Sequence, residues 1–295
     1  MDIIGKRTIW YGISAILSAV SIMAILLWGF NLGIDFTGGS LVELEFDATT
    51  PASGDLESSI EALGFGEVRI QPTEEQGVLI RMRDLDEDAH QRVLAAVEEQ
   101  GSFTEKRFVS IGPVIGGELK QRAIIALALV MIAIVFYIAW AFRKVSEPVQ
   151  SWKYGLIAIV ALLHDVLIPT GVFAYLGAYH GVEIDALFIT ALLTILGFSV
   201  HDTIVVFDRV RENLKKRTGD SFEITVNMSI RENIIRSINT SITLIFVLIT
   251  LYVWGGESTR MFALALTIGT VLGTYSSIFI ASPLLVTWQL ADKSK

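Results

Sequence analysis

The chain is predicted to be a multi-pass α-helical membrane protein: six transmembrane helices and one inserted α+β domain of ferredoxin-like topology. Three observations predict this. Of the 295 residues, 52% are hydrophobic and only 18% charged, a composition that belongs with membrane proteins. Six apolar segments are long enough to cross a bilayer, which takes about 20 residues each. The net charge of −8 is also unevenly spread. Residues 31–119 hold 18 acidic and 6 basic side chains, against 13 and 17 in the remainder, as expected for an acidic solvent-exposed domain inserted into a mildly basic membrane domain.

The spans run over 9–29, 123–142, 154–177, 184–207, 237–254 and 262–288. Lys6 and Arg7 precede the first, as in a signal peptide. Its apolar run is longer than a signal core, however, and no small-residue cleavage site is evident, so it reads as a retained helix. Basic residues flank the spans on one side: Lys6 and Arg7; Arg143, Lys144 and Lys153; Arg209, Arg211, Lys215, Lys216, Arg217 and Arg231; Lys293 and Lys295. With six spans these four groups share a face, which predicts cytoplasmic termini and an outward insert. The organisation is then 1–30 for the N-terminus and first helix, 31–119 for the outer domain, 120–290 for the other five helices and 291–295 for a tail.

In the outer domain, 41–47 (LVELEFD) alternates apolar and acidic residues, the period of a half-buried strand. A helix is predicted over 51–63, strands over 67–71 and 78–83, a second helix over 86–100 and a last strand over 102–111. That order suggests the ferredoxin-like sandwich. The domain is acidic, which argues against nucleic acid as a partner. There is no cysteine, and the four histidines lack the HExxH spacing of a zinc site.

Two glycine-rich segments join the domain to the membrane helices. In GIDFTGG (33–39), Gly33, Gly38 and Gly39 permit tight turns and Asp35 can satisfy local amides. SIGPVIGGEL (110–119) reads as a similar joint going back in. Within the spans, the residues of most interest are ionisable, because a charge in hydrocarbon costs several kcal/mol. Asp165 falls near the middle of the third span and Asp202 in the inner half of the fourth. Arg236, Asn239, Thr240 and Thr243 are spaced i, i+3, i+4, i+7, one polar stripe on the fifth span. It begins at a depth Asp202 can reach, so an Asp202–Arg236 contact is expected, either a proton-relay element that opens on protonation or a structural ion pair. Gly269 and Gly273 form a GxxxG, whose default meaning is close helix packing. Two intramembrane aspartates also admit an aspartyl protease, but Phe198-Ser199-Val200-His201 stands where such enzymes place Gly-x-Gly.

Taken in order, GIDFTGG, SIGPVIGGEL, HDVL in the third span, VHDTIVVFDRVRENL closing the fourth and RSINTS opening the fifth resemble the SecF family. Its members are the smaller integral-membrane subunits of bacterial SecDF protein-export complexes, in the resistance–nodulation–division superfamily. The resemblance implies a six-helix half-transporter of the bacterial inner membrane that pairs with SecD and works with the SecYEG channel on preproteins. It implies no cofactor, the proton being the coupling ion, and brings YajC and YidC in as further candidate partners. It places Asp202 and Arg236 on the family's proton path; Asp165 joins them on its position alone. His201 departs from the Asn of many relatives. Two other readings remain open: a non-conducting scaffold that docks SecD to the channel, and a small-molecule exporter of the same superfamily.

Overall fold

A computed structural model describes residues 2–73, 76–143, 149–216 and 219–293. Lys144, Arg217 and Lys295, counted above among the flanking basic residues, lie outside the described residues. The chain divides into two compact units, Leu32–Ile124 and a second made of Met1–Asn31 with Ile125–Lys295.

In the first unit the order is α2 (Ile34–Thr37), β1 (Gly39–Phe46), α3 (Ser53–Glu61), β2 (Arg69–Pro72), β3 (Gly77–Met82), α4 (Glu87–Glu98) and β4 (Phe103–Ile111). The four strands form one sheet in the order β2-β3-β1-β4, every neighbouring pair antiparallel. This is the predicted ferredoxin-like topology. Alternation along β1 puts Val42, Leu44 and Phe46 on the covered face, where they meet Leu56 and Ile60 of α3 and Val93 and Val97 of α4. The side chain of Asp86 caps α4 by accepting from the Ala89 amide at 2.8 Å, satisfying one of the free first-turn donors.

The two glycine-rich segments come out differently. GIDFTGG makes the short helix α2 and then turns through Gly38 (φ 74°) and Gly39 (φ 129°), conformations a side chain disfavours. A Cβ on Gly38 would lie 2.6 Å from the Cα of Pro113. SIGPVIGGEL, the joint going back in, opens a long helix, α5 (Pro113–Ala141). Proline is well placed at the first helical position, where its missing N–H is not needed. Gly116 then lets α5 lie against Gly38, since a Cβ there would meet the Gly38 nitrogen at 2.7 Å.

The second unit contains α1 (Arg7–Trp28), most of α5, α6 (Ser151–His180), α7 (Ala186–Lys216), α8 (Phe222–Trp254), α9 (Glu257–Ser276), a π-helical turn (Ser277–Ala281) and α10 (Ser282–Lys293). Among the described residues six helices, the sixth running unbroken through α9, the π turn and α10, have the length and composition to cross a membrane. The sequence placed the fifth helix's start at residue 237; α8 begins fifteen residues earlier because the polar run 222–236 is amphipathic and packs Val226 and Ile230 onto Phe207 and Val210 of α7. Interior and periphery separate clearly. Helices α6 and the last span bury more than half of their most apolar stretch, whereas α1, α5 and α8 bury less than a fifth, leaving side chains such as Leu26, Phe136 and Phe246 exposed.

Small residues set the closest approaches. A Cβ at Gly171 of α6 would reach the Ser21 Cα of α1 at 2.6 Å, and one at Gly269 of α9 would reach Ile195 of α7 at 2.2 Å. The GxxxG is therefore the contact between α7 and α9. Gly38→Ala is expected to destabilise the protein by about 1–3 kcal/mol, from left-handed backbone and the Pro113 contact together. Gly12→Ala, which meets nothing within 4 Å, should be neutral; thermal unfolding of the purified protein in detergent compares them.

Candidate functional site

The interior of the helix bundle is built around two aspartates on different helices. Asp165 stands midway along α6 and is fully buried. Its Oδ2 accepts hydrogen bonds from Ser199 Oγ of α7 and Ser276 Oγ of α9, each at 2.6 Å. Its Oδ1 is 2.9 Å from Nδ1 of His164. Three helices thus converge on one carboxylate, as the cost of burying an unpaired charge demands. Ser199 reaches it because α7 and α9 are in close contact: a Cβ on Gly273 would lie 3.0 Å from that of Ser199.

The helix carrying Asp165 is interrupted beside it. Pro169 lies four residues on, inside α6, and has no N–H to give to the Asp165 carbonyl. A second irregularity faces it, the π turn that begins at Ser277 and lets Ser282 Oγ reach the Ser277 carbonyl at 2.9 Å. Such turns recur at functional sites.

Asp202, one turn further along α7 than Ser199, is 8% exposed. Its Oδ1 accepts from Ser237 Oγ of α8 at 2.5 Å, and its Oδ2 is buried without a hydrogen-bond partner among the described residues. Around it runs a series of hydroxyls. Ser241 bonds Thr274 and the Ser237 carbonyl, and Thr203 Oγ1 lies 2.9 Å from Ser277 Oγ. Asp165 and Asp202 make no bond to each other among the described residues; each has its own serines, unlike two acids sharing a proton.

The expected Asp202–Arg236 contact is not made. Ser237 takes that place, and a step of one residue turns the side chain by about 100° around the helix. Arg236 is consequently exposed, at the edge of a groove of about 440 Å³ lined in part by Phe142, Ile204, Asp208 and Glu232. Asn239, Thr240 and Thr243, the rest of the predicted stripe, are exposed with it. The hydroxyls of Thr240 and Thr243 return to carbonyls of their own helix, Arg236 and Asn239, at 2.9 and 2.8 Å. The polar side facing inward is Ser237 and Ser241 instead.

His201 is exposed, while His164 is buried, stacked near Tyr275 with ring centroids 6.0 Å apart. Of the joint residues, Gly33, Asp35, Gly38 and Gly39 all fall in or beside α2, away from these aspartates in sequence and confined to the first unit. No group of three His, Asp or Glu side chains suited to a metal occurs among the described residues. Sequence reasoning missed the serines. A signal for them existed: Gly269, Gly273, Ser276 and Ser277 follow the spacing i, i+4, i+7, i+8 and so extend the GxxxG face.

Six apolar helices with ionisable groups enclosed among them define a polytopic membrane protein. Comparison with known proteins narrows this. The family model for the protein export membrane protein SecD/SecF, C-terminal, matches residues 91–291, and that for the SecD/SecF GG motif matches 29–50. The protein translocase subunit SecF of Thermobaculum terrenum is 45% identical, over 99% of this chain and 95% of its own. Protein translocase subunit SecDF of Brucella abortus is 34% identical over 96% of this chain but only 36% of its own. The crystal structure of SecDF from Thermus thermophilus superimposes with a TM-score of 0.85 at 32% identity, covering 98% of this chain and 39% of that one. The chain belongs to the SecD/SecF family of protein-export membrane proteins.

Removing Ser237, which donates to Asp202 at 2.5 Å, tests the geometry. Ser237→Ala should cost about 1–3 kcal/mol, the range for a hydrogen bond to a buried charged group, seen as a lower midpoint of thermal unfolding. Thr250→Ala should leave the midpoint unchanged, since that exposed hydroxyl bonds only to Phe246 of its own helix.

Proposed function

We propose that this chain works as the SecF half of a SecD–SecF pair and promotes preprotein translocation through the SecYEG channel. The drive is the proton-motive force across the bacterial inner membrane, and the coupling ion is the proton. The observation that carries this reading is Asp202: a carboxylate in an apolar span, one oxygen held by Ser237 and the other buried without a partner. An ionisable residue so placed in an apolar span is by default a candidate for a functional role, here that of holding the coupling proton.

The outward stripe supports a partner subunit. Arg236, Asn239, Thr240 and Thr243 are exposed on a helix otherwise covered with Ile, Phe and Val. A guanidinium and an amide facing lipid tails are costly, whereas another protein's helices can meet them. Relatives in which this chain corresponds to 36% and 39% of a SecDF chain fit the same picture of a half completed by SecD. In this reading the termini are cytoplasmic and the inserted domain periplasmic, supported by the basic residues around Arg7, Arg143, Arg209 and Lys216. YajC and YidC as further partners rest on the family resemblance alone.

Gradient-driven preprotein export into membrane vesicles, with co-purification of SecD checked in the same preparation, tests the reading. Asp202→Asn should assemble and lose the gradient-dependent part of export by tenfold or more. Unchanged gradient dependence in an assembled complex would overturn it and leave a scaffold that docks SecD to the channel. Arg236→Ala should weaken retention of SecD on purification.

A further inference from the structure

Asp165 is the better-held carboxylate of the two, yet the reading above leaves it without a task. Four observations converge on it. It is fully buried at mid-helix. It sits against His164, whose ring is 6% exposed and whose Nε2 is buried with no hydrogen-bond partner among the described residues. Pro169, inside α6, offers the Asp165 carbonyl no backbone N–H. The junction of α9 with the π turn opposite supplies one of the donors to Asp165 from Ser276 and, from Ser277 that opens the turn, a hydroxyl that faces Thr203 beside Asp202.

Ser276 and Ser277 also compete. Both donate toward the same carbonyl, that of Gly273, at 3.2 and 2.8 Å. An ionised Asp165 draws the Ser276 hydroxyl to itself at 2.6 Å. A protonated one needs that donor less, so Ser276 turns fully to Gly273. Ser277, already 2.9 Å from Thr203 and in contact with Asp202, is then the hydroxyl through which the change at Ser276 reaches Asp202. The ionisable groups around Asp165 are His164 on its own helix, Tyr275 on α9 behind His164, and Asp202 on α7; α1 contributes Ser14, bonded to Tyr275 at 3.1 Å.

We propose that Asp165 and His164 form a second proton-holding site, coupled to Asp202 through the paired hydroxyls of Ser276, the last residue of α9, and Ser277, the first of the π turn. The proposal rests on the reading of Asp202 as a proton site. Uptake breaks an O–H bond of hydronium as one forms at Asp165; that bond then breaks as an N–H bond forms at His164 Nδ1, and on release the imidazolium returns its proton to water, with no electrons exchanged. The serines keep their protons and change only their acceptors. Asp165 is thus a proton-binding residue, and Ser276 and Ser277 are positioning residues.

The test uses the SecD complex with wild type, Asp202→Asn, Asp165→Asn and Ser276→Ala. It reads gradient-driven export, and the carboxylic-acid C=O stretching bands in infrared difference spectra across a pH titration. Asp165→Asn, once shown to assemble, should lose one titrating carboxyl band and cut gradient-dependent export tenfold or more. Ser276→Ala should keep that band, displace its midpoint and slow export about tenfold, the effect of one hydrogen bond to a charged group. Wild-type export from assembled Asp165→Asn, or a full set of bands in it, overturns the proposal. If that variant does not assemble, Ser276→Ala decides: wild-type export with an unmoved band overturns it, and the displaced band with slowed export supports it. Loss of gradient dependence in Asp202→Asn but not in Asp165→Asn removes this inference alone, whereas retained gradient dependence in Asp202→Asn removes the proposed function itself.

Discussion

The structure of the membrane unit depends on burying the Asp165 carboxylate. A carboxylate enclosed by helices needs donors on all sides, and those donors must come from neighbouring helices within hydrogen-bond reach. Ser199 and Ser276 have short side chains, so they can reach Asp165 only if α6, α7 and α9 come close together. Gly269 and Gly273 permit that approach on the α9 side, and Gly171 permits the corresponding one between α6 and α1. The glycine pattern and the polar pattern are in this sense one feature: small residues bring the backbones together, and hydroxyls fill the space left with hydrogen bonds in place of methylenes.

Helix α8 shows the opposite arrangement at its surface. Ser237 and Ser241 face in and complete the shell around Asp202, while Arg236, Asn239, Thr240 and Thr243 face out. In a soluble protein an outward polar stripe is unremarkable. On a helix whose remaining exposed residues include Ile235, Phe246 and Val247, it divides the surface into a part suited to lipid and a part suited to protein. The two polar faces lie about 100° apart, so a neighbour seated on the outer one is separated from Asp202 by little more than the width of α8 itself.

Much of this was legible in the residues. Six spans followed from apolar length, and the inserted sandwich followed from the alternation in LVELEFD together with two short amphipathic helices. The GxxxG contact followed from spacing. Other features were not. SIGPVIGGEL reads as a joint, and its residues do not say that the joint is the start of a helix; proline is tolerated in a first helical turn, and Gly116 is required by the closeness of Gly38. Arg236 was paired with Asp202 because both are charged and lie at similar depth. Periodicity within one helix fixes which residues share a face, but not which neighbour that face meets; a rotation of one residue exchanged Arg236 for Ser237. The serines drew little notice because a hydroxyl in a span can satisfy itself on its own backbone, so their number alone does not reveal a network. The π turn has no spacing signature comparable to that of a GxxxG.

The irregular backbone falls where the carboxylates are. Pro169 interrupts α6 at the Asp165 carbonyl, and the π turn interrupts the last span between Ser276, which holds Asp165, and the residues that follow Ser277. A regular helix would set adjacent residues 100° apart in a fixed relation and would resist local rearrangement, because each shift breaks the ladder of i to i−4 bonds. Here Pro169 withholds one bond of that ladder from the Asp165 carbonyl, and the π turn departs from the regular pattern in the last span. A change in the charge of one buried group can therefore be absorbed by short movements of hydroxyls and a single turn of helix, without unpacking Phe207, Tyr154 and Leu285 in the apolar cluster nearby. Such a cluster is rigid because its interior is close-packed, and movement on one side of it is passed along the helices rather than dissipated. Buried charge and irregular backbone thus coincide at Asp165 and its neighbours.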